Sequence, residues 1–134
     1  MDIERFKRDH VALMRTVGEL RGLVHAGIAP HADAIAHELV AMSAAVKLHL
    51  AAEDHMLYPA LAADVRTQDI GERYQTEMGS LAQTYGEFVK RWSFAAQIAD
   101  DPETFRAEAN TVFKALHQRV QRENRELYPL VERL

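Results

Sequence analysis

The sequence predicts an all-α protein with the architecture of an up-and-down four-helix bundle. Apolar residues recur at intervals of three and four along four long segments, and no segment shows the alternation typical of a β-strand. The connections between the segments are short, as in a bundle of antiparallel helices. With 134 residues, of which 48% are hydrophobic, the chain has the size of one domain with one core, residues 1–134.

The first predicted helix runs from Ile3 to about Val24. Its apolar residues share one face, and His10 falls on the same face. The apolar members of this stripe are Phe6, Leu13, Val17, Leu20 and Val24. A turn is predicted at residues 26–30, which include a glycine and a proline.

The second predicted helix begins at residue 31 or 32 and reaches Pro59, where a kinked continuation to about residue 63 is expected. Its inward stripe is Leu39, Met42, Val46, His49, Glu53 and Met56. His49 and Glu53 are four residues apart and therefore share one face of the helix. Because an unpaired buried carboxylate costs several kcal/mol, Glu53 requires a cation, a metal ion or a proton.

Helices 3 and 4 follow a polar break at residues 64–71. The stripe of helix 3, predicted to reach Ile98, is Tyr74, Met78, Leu81, Tyr85, Phe88 and Trp92. Helix 4 is predicted to start at Pro102, where acidic residues and a proline together favour a helix N-terminus. Two charged residues, Arg119 and Glu123, lie in its stripe, whose apolar members are Phe105, Ala109, Val112, Leu116, Leu127 and Leu130.

The chain reads as a duplicated helical hairpin, with halves at about 1–66 and 67–134. The sequence Leu-Tyr-Pro occurs at residues 57–59 and again at residues 127–129. At the same offset of 70 residues Glu53 pairs with Glu123, and helices 1 and 3 pair at an offset of 68.

This internal alignment shows that the halves differ at two positions of chemical interest. His10 corresponds to Met78, and His49 corresponds to Arg119. The glutamate is therefore the only one of the three ionisable stripe residues that both halves contain.

Composition excludes several classes of function. The net charge is -4, with both signs mixed along the sequence, so we expect neither a nucleic-acid nor a membrane partner. The chain has no cysteine, so any metal must be bound by nitrogen and oxygen. The N-terminus has no signal-peptide core and no apolar run reaches about 20 residues, which favours a cytoplasmic protein.

Three motifs carry a resemblance to a known family. They are Asp9-His10 ahead of the helical leucines, His49-x-x-x-Glu53 with its Leu-Tyr-Pro, and Glu123 with the second Leu-Tyr-Pro. Over essentially its whole length the chain resembles the hemerythrin-like family, the HHE cation-binding domains. The resemblance implies a four-helix bundle around a non-haem di-iron site that binds oxygen or nitric oxide, or that serves iron and oxygen sensing.

Carried over by position, the two histidine ligands of one iron and the two bridging carboxylates that the resemblance implies are all present. They are His10, His49, Glu53 and Glu123. The second iron needs histidines from helices 3 and 4, and the chain offers Tyr74, Met78 and Arg119 in their place. We therefore expect no intact di-iron centre. The remaining histidines, at positions 25, 31, 37, 55 and 117, are predicted to lie outside the site, and the two Tyr-Pro pairs to close helices 2 and 4.

Two ways of neutralising the carboxylates stay open. One metal ion, iron, manganese or zinc, suits two neutral imidazoles and two carboxylates, and such a protein could bind oxygen or nitric oxide. Alternatively, Arg119 pairs with the carboxylates without a metal, and the bundle acts as a structural module through a protein partner or as a homodimer. An enzyme of peroxide or oxygen chemistry is the weakest of the three hypotheses, because the second metal is missing.

Overall fold

The computed structural model describes all 134 residues, and it is helical throughout apart from short turns. The helices are α1 (Glu4–Ala26), α2 (Ala32–Ala52), α3 (Tyr58–Ala62), α4 (Gln68–Arg91), α5 (Ala95–Asp100), α6 (Pro102–Arg122) and α7 (Tyr128–Glu132). A 3-10 turn, Ala29–His31, precedes α2. Two π-helical turns, Glu53–Leu57 and Glu123–Leu127, join α2 to α3 and α6 to α7 without a break. Four long rods result, which confirms the predicted all-α four-helix bundle.

The hydrophobic core is divided into two clusters. The larger contains 20 buried residues, among them Leu20, Leu39, Phe88 and Phe105. All come from α1, α2, α4, α5 and α6 except Ile28 and Trp92, which lie in connections. The smaller contains 10 buried residues, which come from both ends of the chain and from residues 52–74, among them Phe6 and Tyr128. The polar residues described below belong to neither cluster, so the apolar clusters enclose a buried polar layer.

The two π-helical turns follow from the repeated Tyr-Pro pair. Proline has no N–H to donate, and its ring clashes with the carbonyl four residues earlier, so an α-helix cannot pass through it undisturbed. The N–H of Tyr58 bonds to the carbonyl of Glu53, five residues back, and Tyr128 bonds to Glu123 in the same way. Each turn therefore begins at one of the two repeated glutamates. Such turns occur frequently at functional sites.

The prediction that Met56 points inward is wrong, because this residue is 37% exposed. A π-helical turn holds an extra residue, so the next inward position after Glu53 is Leu57, which is fully buried. The same shift in helix 4 buries Val131 and leaves Leu130 only half-buried.

Two predicted boundaries also need correction. The polar break ends before Gln68, and Gly71 lies inside α4, where an added Cβ would approach the Leu61 Cβ to 2.8 Å. This glycine permits close packing between α3 and α4. Helix 3 ends at Arg91, rather than Ile98, and the extended residue Phe94 separates it from the short helix α5. The predicted start at Pro102 agrees with the structure, where the Asp101 side chain accepts a hydrogen bond from the Thr104 N–H.

One rod is more apolar than the sequence prediction allowed. Residues Ala29–Ala62 are long and apolar enough to cross a membrane when judged by length and composition alone. The prediction of no such segment is therefore wrong on these criteria, because the rod is rich in alanine. A core helix of a bundle meets the same criteria, and one face of this rod carries Leu39, Met42 and Val46 into the core. The absence of a membrane partner stays a prediction.

Candidate metal centre

The structure brings four ionisable side chains together in the polar layer of the bundle. His10 comes from α1, His49 from α2, and Glu53 and Glu123 from the first positions of the two π-helical turns. One donor atom from each residue lies within 4.8 Å of the other three, and all four residues are buried. These are the four ligands that the sequence resemblance implied.

Both histidines are oriented by a hydrogen bond at Nδ1. His49 Nδ1 lies 2.9 Å from Asp9 Oδ2, and His10 Nδ1 lies 2.8 Å from Asn124 Oδ1. Carboxylate and amide oxygens can only accept, so each Nδ1 carries the proton. A neutral imidazole then presents the lone pair of its Nε2 to the centre of the cluster, which is the arrangement that metal-ligating histidines adopt.

The two Nε2 atoms lie only 3.1 Å apart. Two lone pairs cannot face each other at this distance without a positive charge between them or on one ring. The charge can be a metal ion or a proton. In the metal-free protein His49 can hold that proton: burial disfavours the charged ring, but the nearby carboxylates of Glu53 and Asp9 outweigh it and raise the pKa of His49 to about 9.

The carboxylates of Glu53 and Glu123 differ in their partners and in the direction of their pKa shifts. Glu53 Oε1 lies 3.4 Å from His49 Nε2 and has no hydrogen-bond partner, although it is fully buried. Burial, together with the charge of Glu123, raises the pKa of Glu53 despite the opposing effect of His49. Glu123 Oε1 lies 3.0 Å from His10 Nε2. Burial opposes ionisation there too, but the neighbouring His10 and the charge of Arg119 lower the pKa of Glu123.

Arg119 lies on the other side of Glu123 and is 5% exposed. Its Nε donates to Glu123 Oε2 at 3.2 Å, its Nη1 donates to Glu77 Oε2 at 3.1 Å, and its Nη2 donates to the Tyr74 carbonyl. The guanidinium also lies over the Tyr74 ring, 4.4 Å from the centroid. Arg119 is therefore held by three oxygens and an aromatic face.

The other two residues predicted in place of the second metal's ligands also lie on α4 but contribute differently. Tyr74 offers its ring and carbonyl to Arg119, and its hydroxyl donates to Glu126 Oε2 at 2.8 Å. Met78 is buried and contributes no polar atom. None of the three offers an imidazole, and the guanidinium of Arg119 supplies a positive charge here.

Sequence reasoning missed Tyr128. The prediction that the Tyr-Pro pairs close helices 2 and 4 assigns this residue no place in the cluster, but its hydroxyl lies 3.1 Å from Glu53 Oε2, 3.0 Å from His10 Nε2 and 3.5 Å from Glu123 Oε1. Asn124 and Glu77 were also missed as partners, and Asp9 was noted without a role. Tyr128 and Asn124 reach the cluster because of the register of the π-helical turn, and the helical periodicity of the sequence does not predict that register.

The remaining histidines lie outside the cluster. Four are exposed: His25, His37, His55 and His117. His31 is half-buried beside the start of α2, where its Nδ1 lies 2.7 Å from the Gly27 carbonyl.

The buried donor set fits a divalent cation. Two imidazole nitrogens and two carboxylates form a set that iron(II), manganese and zinc accept. The unpartnered Glu53 oxygen and the facing Nε2 atoms both mark a place where a cation is electrostatically favoured.

Fold and site together define a helical bundle with a buried histidine–carboxylate centre. The family model of the hemerythrin HHE cation-binding domain matches residues 1–131, and the chain belongs to this family. Comparisons with curated proteins and with solved structures give no match.

Proposed function

We propose that this protein is a mononuclear non-haem metal protein that binds one divalent ion, most simply iron(II), through His10, His49, Glu53 and Glu123. The observation that carries the proposal is the pair of Nε2 atoms 3.1 Å apart, beside a buried carboxylate oxygen without a partner. A metal ion satisfies all three atoms at once, whereas a single proton satisfies two. The family's cation-binding character supports the same assignment.

The proposal is limited to one ion because of Arg119. Its guanidinium keeps its charge at any pH that a folded protein tolerates, so it repels a second cation from the neighbouring position. It also occupies Glu123 Oε2, which leaves Oε1 to face the histidines. Manganese and zinc suit the same ligands and stay alternatives to iron.

A small ligand is proposed to reach the metal from between α1 and α2. A pocket of about 260 Å³ opens there, and it reaches His49 and its partner Asp9. Most of its lining is apolar: Ala12, Leu13, Met42, Ala45, Val46 and Leu48. Four protein ligands leave coordination positions of an iron ion open. An apolar pocket beside such an ion favours a small uncharged ligand, and we propose oxygen or nitric oxide.

Metal analysis tests the proposal. After anaerobic reconstitution with iron(II) and removal of loose ions, we expect about one equivalent of metal per chain. His49→Ala should abolish it, and His117→Ala, which removes an exposed histidine from α6, should not change it. Less than about a tenth of an equivalent in the parent, or equal metal in the two variants, would contradict the proposal.

The second candidate function is a metal-free structural or interaction module. It is favoured by the three hydrogen bonds of Arg119, which neutralise this side of the cluster without a metal. In that case His49 holds a proton, and the protein acts through its surface, with a protein partner or as a homodimer. A cytoplasmic location stays a prediction under both candidates.

A further inference from the structure

A second feature with ligand-binding character lies between α1 and α6, away from the metal centre. It is a cleft of about 700 Å³, within the size range of small-molecule sites. Five of its nine lining residues are basic: Arg21, His25, Arg106, Lys114 and His117. No carboxylate lines it, although the chain as a whole has a net charge of -4.

Only one of the arginine and lysine side chains of this cleft has an ion-pair partner in the folded chain. Arg21 and Lys114 have no carboxylate within 4.0 Å, and the nearest for Arg106 is the exposed Glu103, at 3.7 Å. One other cleft differs in this respect. In the cleft of about 490 Å³ between α4 and α6, Arg91 is paired with Glu108 at 2.6 Å. Arg21 and Lys114, between α1 and α6, are thus free to meet an external anion.

The remaining lining residues of the cleft indicate what a ligand should carry besides its anionic group. Val24, Ala109 and Phe113 are core residues, 9%, 2% and 1% exposed, whose remaining surface forms a small apolar floor, and Asn110 adds an amide. An inorganic ion would leave this floor uncovered. A molecule with an anionic group and an apolar or aromatic body can contact both parts.

The geometry points to a binding site for a small organic phosphate that carries at least two negative charges, such as a nucleoside diphosphate. Arg21, Arg106 and Lys114 provide charged donors for phosphate oxygens, and Arg can bind them in bidentate fashion. A long nucleic-acid strand fits less well, because it would extend beyond the cleft over a surface whose net charge is negative.

The cleft is independent of the metal centre. Arg21 is eleven residues from His10 along α1, about 16 Å at the rise of an α-helix. None of the four clustered residues lines the cleft. Binding there can therefore be measured whether or not metal is bound.

The test is calorimetric titration of the full chain with ADP and, separately, with inorganic pyrophosphate, in the presence of a chelator so that no metal–phosphate complex forms. We expect ADP to bind, and Arg21→Ala with Lys114→Ala to weaken it at least about tenfold, because two charged contacts are lost. The matched control is Arg15→Ala with Lys47→Ala, which removes two exposed cations from outside the cleft. Circular dichroism verifies the fold of each variant.

The outcomes separate the sources of the anion. ADP binding that is lost in the cleft variant and kept in the control supports the proposal. Pyrophosphate binding as tightly as ADP would overturn the organic part of the proposal, because the apolar floor would then contribute nothing. No ADP binding by the parent, or equal weakening in both double variants, would overturn it entirely. A His49→Ala protein should bind ADP like the parent, so failure of the metal site would leave this result unaffected.

Discussion

Glu53 and Glu123 begin the two π-helical turns, and both are buried at equivalent points of the duplicated hairpin. Around Glu53 the chain places His49 and the hydroxyl of Tyr128. On its outer side Glu123 meets Arg119 instead. Glu53 is thus surrounded by neutral or titratable groups, which are compatible with a bound metal ion. Glu123 has a permanently charged arginine on its outer side.

The two buried glutamates show that one kind of charge can be balanced in two ways. A histidine is a removable partner, because its neutral form is a metal ligand. An arginine is a permanent one, because it cannot lose its proton. On the function proposed above, an arginine at the position equivalent to His49 keeps Glu123 neutralised and excludes a second metal ion.

The strongest way to break the asymmetry is to restore the missing ligands in the second half. Arg119→His together with Met78→His should raise the metal content from about one to about two equivalents, because it removes the competing cation and adds two imidazoles. Metal analysis after anaerobic reconstitution measures it. A content that stays at one would show that Arg119 is not what excludes the second ion.

Removal of the guanidinium alone should be strongly destabilising. Arg119→Ala in the metal-free protein removes the guanidinium from the buried Glu123 carboxylate and from the Tyr74 carbonyl, whereas Glu77 keeps Arg122 at 2.8 Å. We expect a loss of about 3–5 kcal/mol in the free energy of unfolding, because a buried pair is broken. Urea denaturation in the presence of a chelator measures it. Arg66→Ala, which breaks an exposed pair with Asp64, should leave the midpoint unchanged. Equal midpoints for the two variants would contradict the buried salt-bridge network.

In the first half of the chain, Asp9 should affect metal affinity because it orients His49. Asp9→Asn weakens the partner that orients Nδ1, and we expect metal affinity to fall by about 10- to 100-fold. Competition with a metal indicator dye measures it, and Asp54→Asn, on the exposed side of the π-helical turn, is the matched control. An unchanged affinity would remove Asp9 from the metal centre.

The smallest expected difference in stability between the two halves concerns the tyrosines of the Tyr-Pro pairs. The Tyr128 hydroxyl donates into the cluster, whereas the Tyr58 hydroxyl is buried without a hydrogen-bond partner. Tyr128→Phe should therefore cost about 1–2 kcal/mol, and Tyr58→Phe should be neutral or slightly stabilising. Thermal unfolding of the metal-free variants compares them. Equal losses would mean that the halves do not differ here.

Much of the fold and the four clustered residues could be predicted from the sequence, because both depend on helical periodicity. The spacing of His49 and Glu53 places them on one face in any α-helix. Tyr128 could not be assigned to the cluster in this way, because the π-helical turn shifts every position that follows Glu123. Similarly, α5 continues the stripe of helix 3 in sequence while Phe94 breaks the helix in space.

The basic cleft illustrates a different limit. Its cations come from α1 and α6, and each helix alone shows only a few basic residues among acidic ones. They form a surface of one sign only when the two helices lie side by side. A net charge taken along the sequence, or a search for a basic stripe, does not detect such an arrangement.

The central claim is one metal ion between the two histidines, and its most direct test is anomalous scattering from crystals of the iron-reconstituted protein. We predict one peak, within bonding distance of His10 Nε2, His49 Nε2, Glu53 and Glu123, and none beside Arg119. The absence of any peak, or a second peak beside Arg119, would contradict the account.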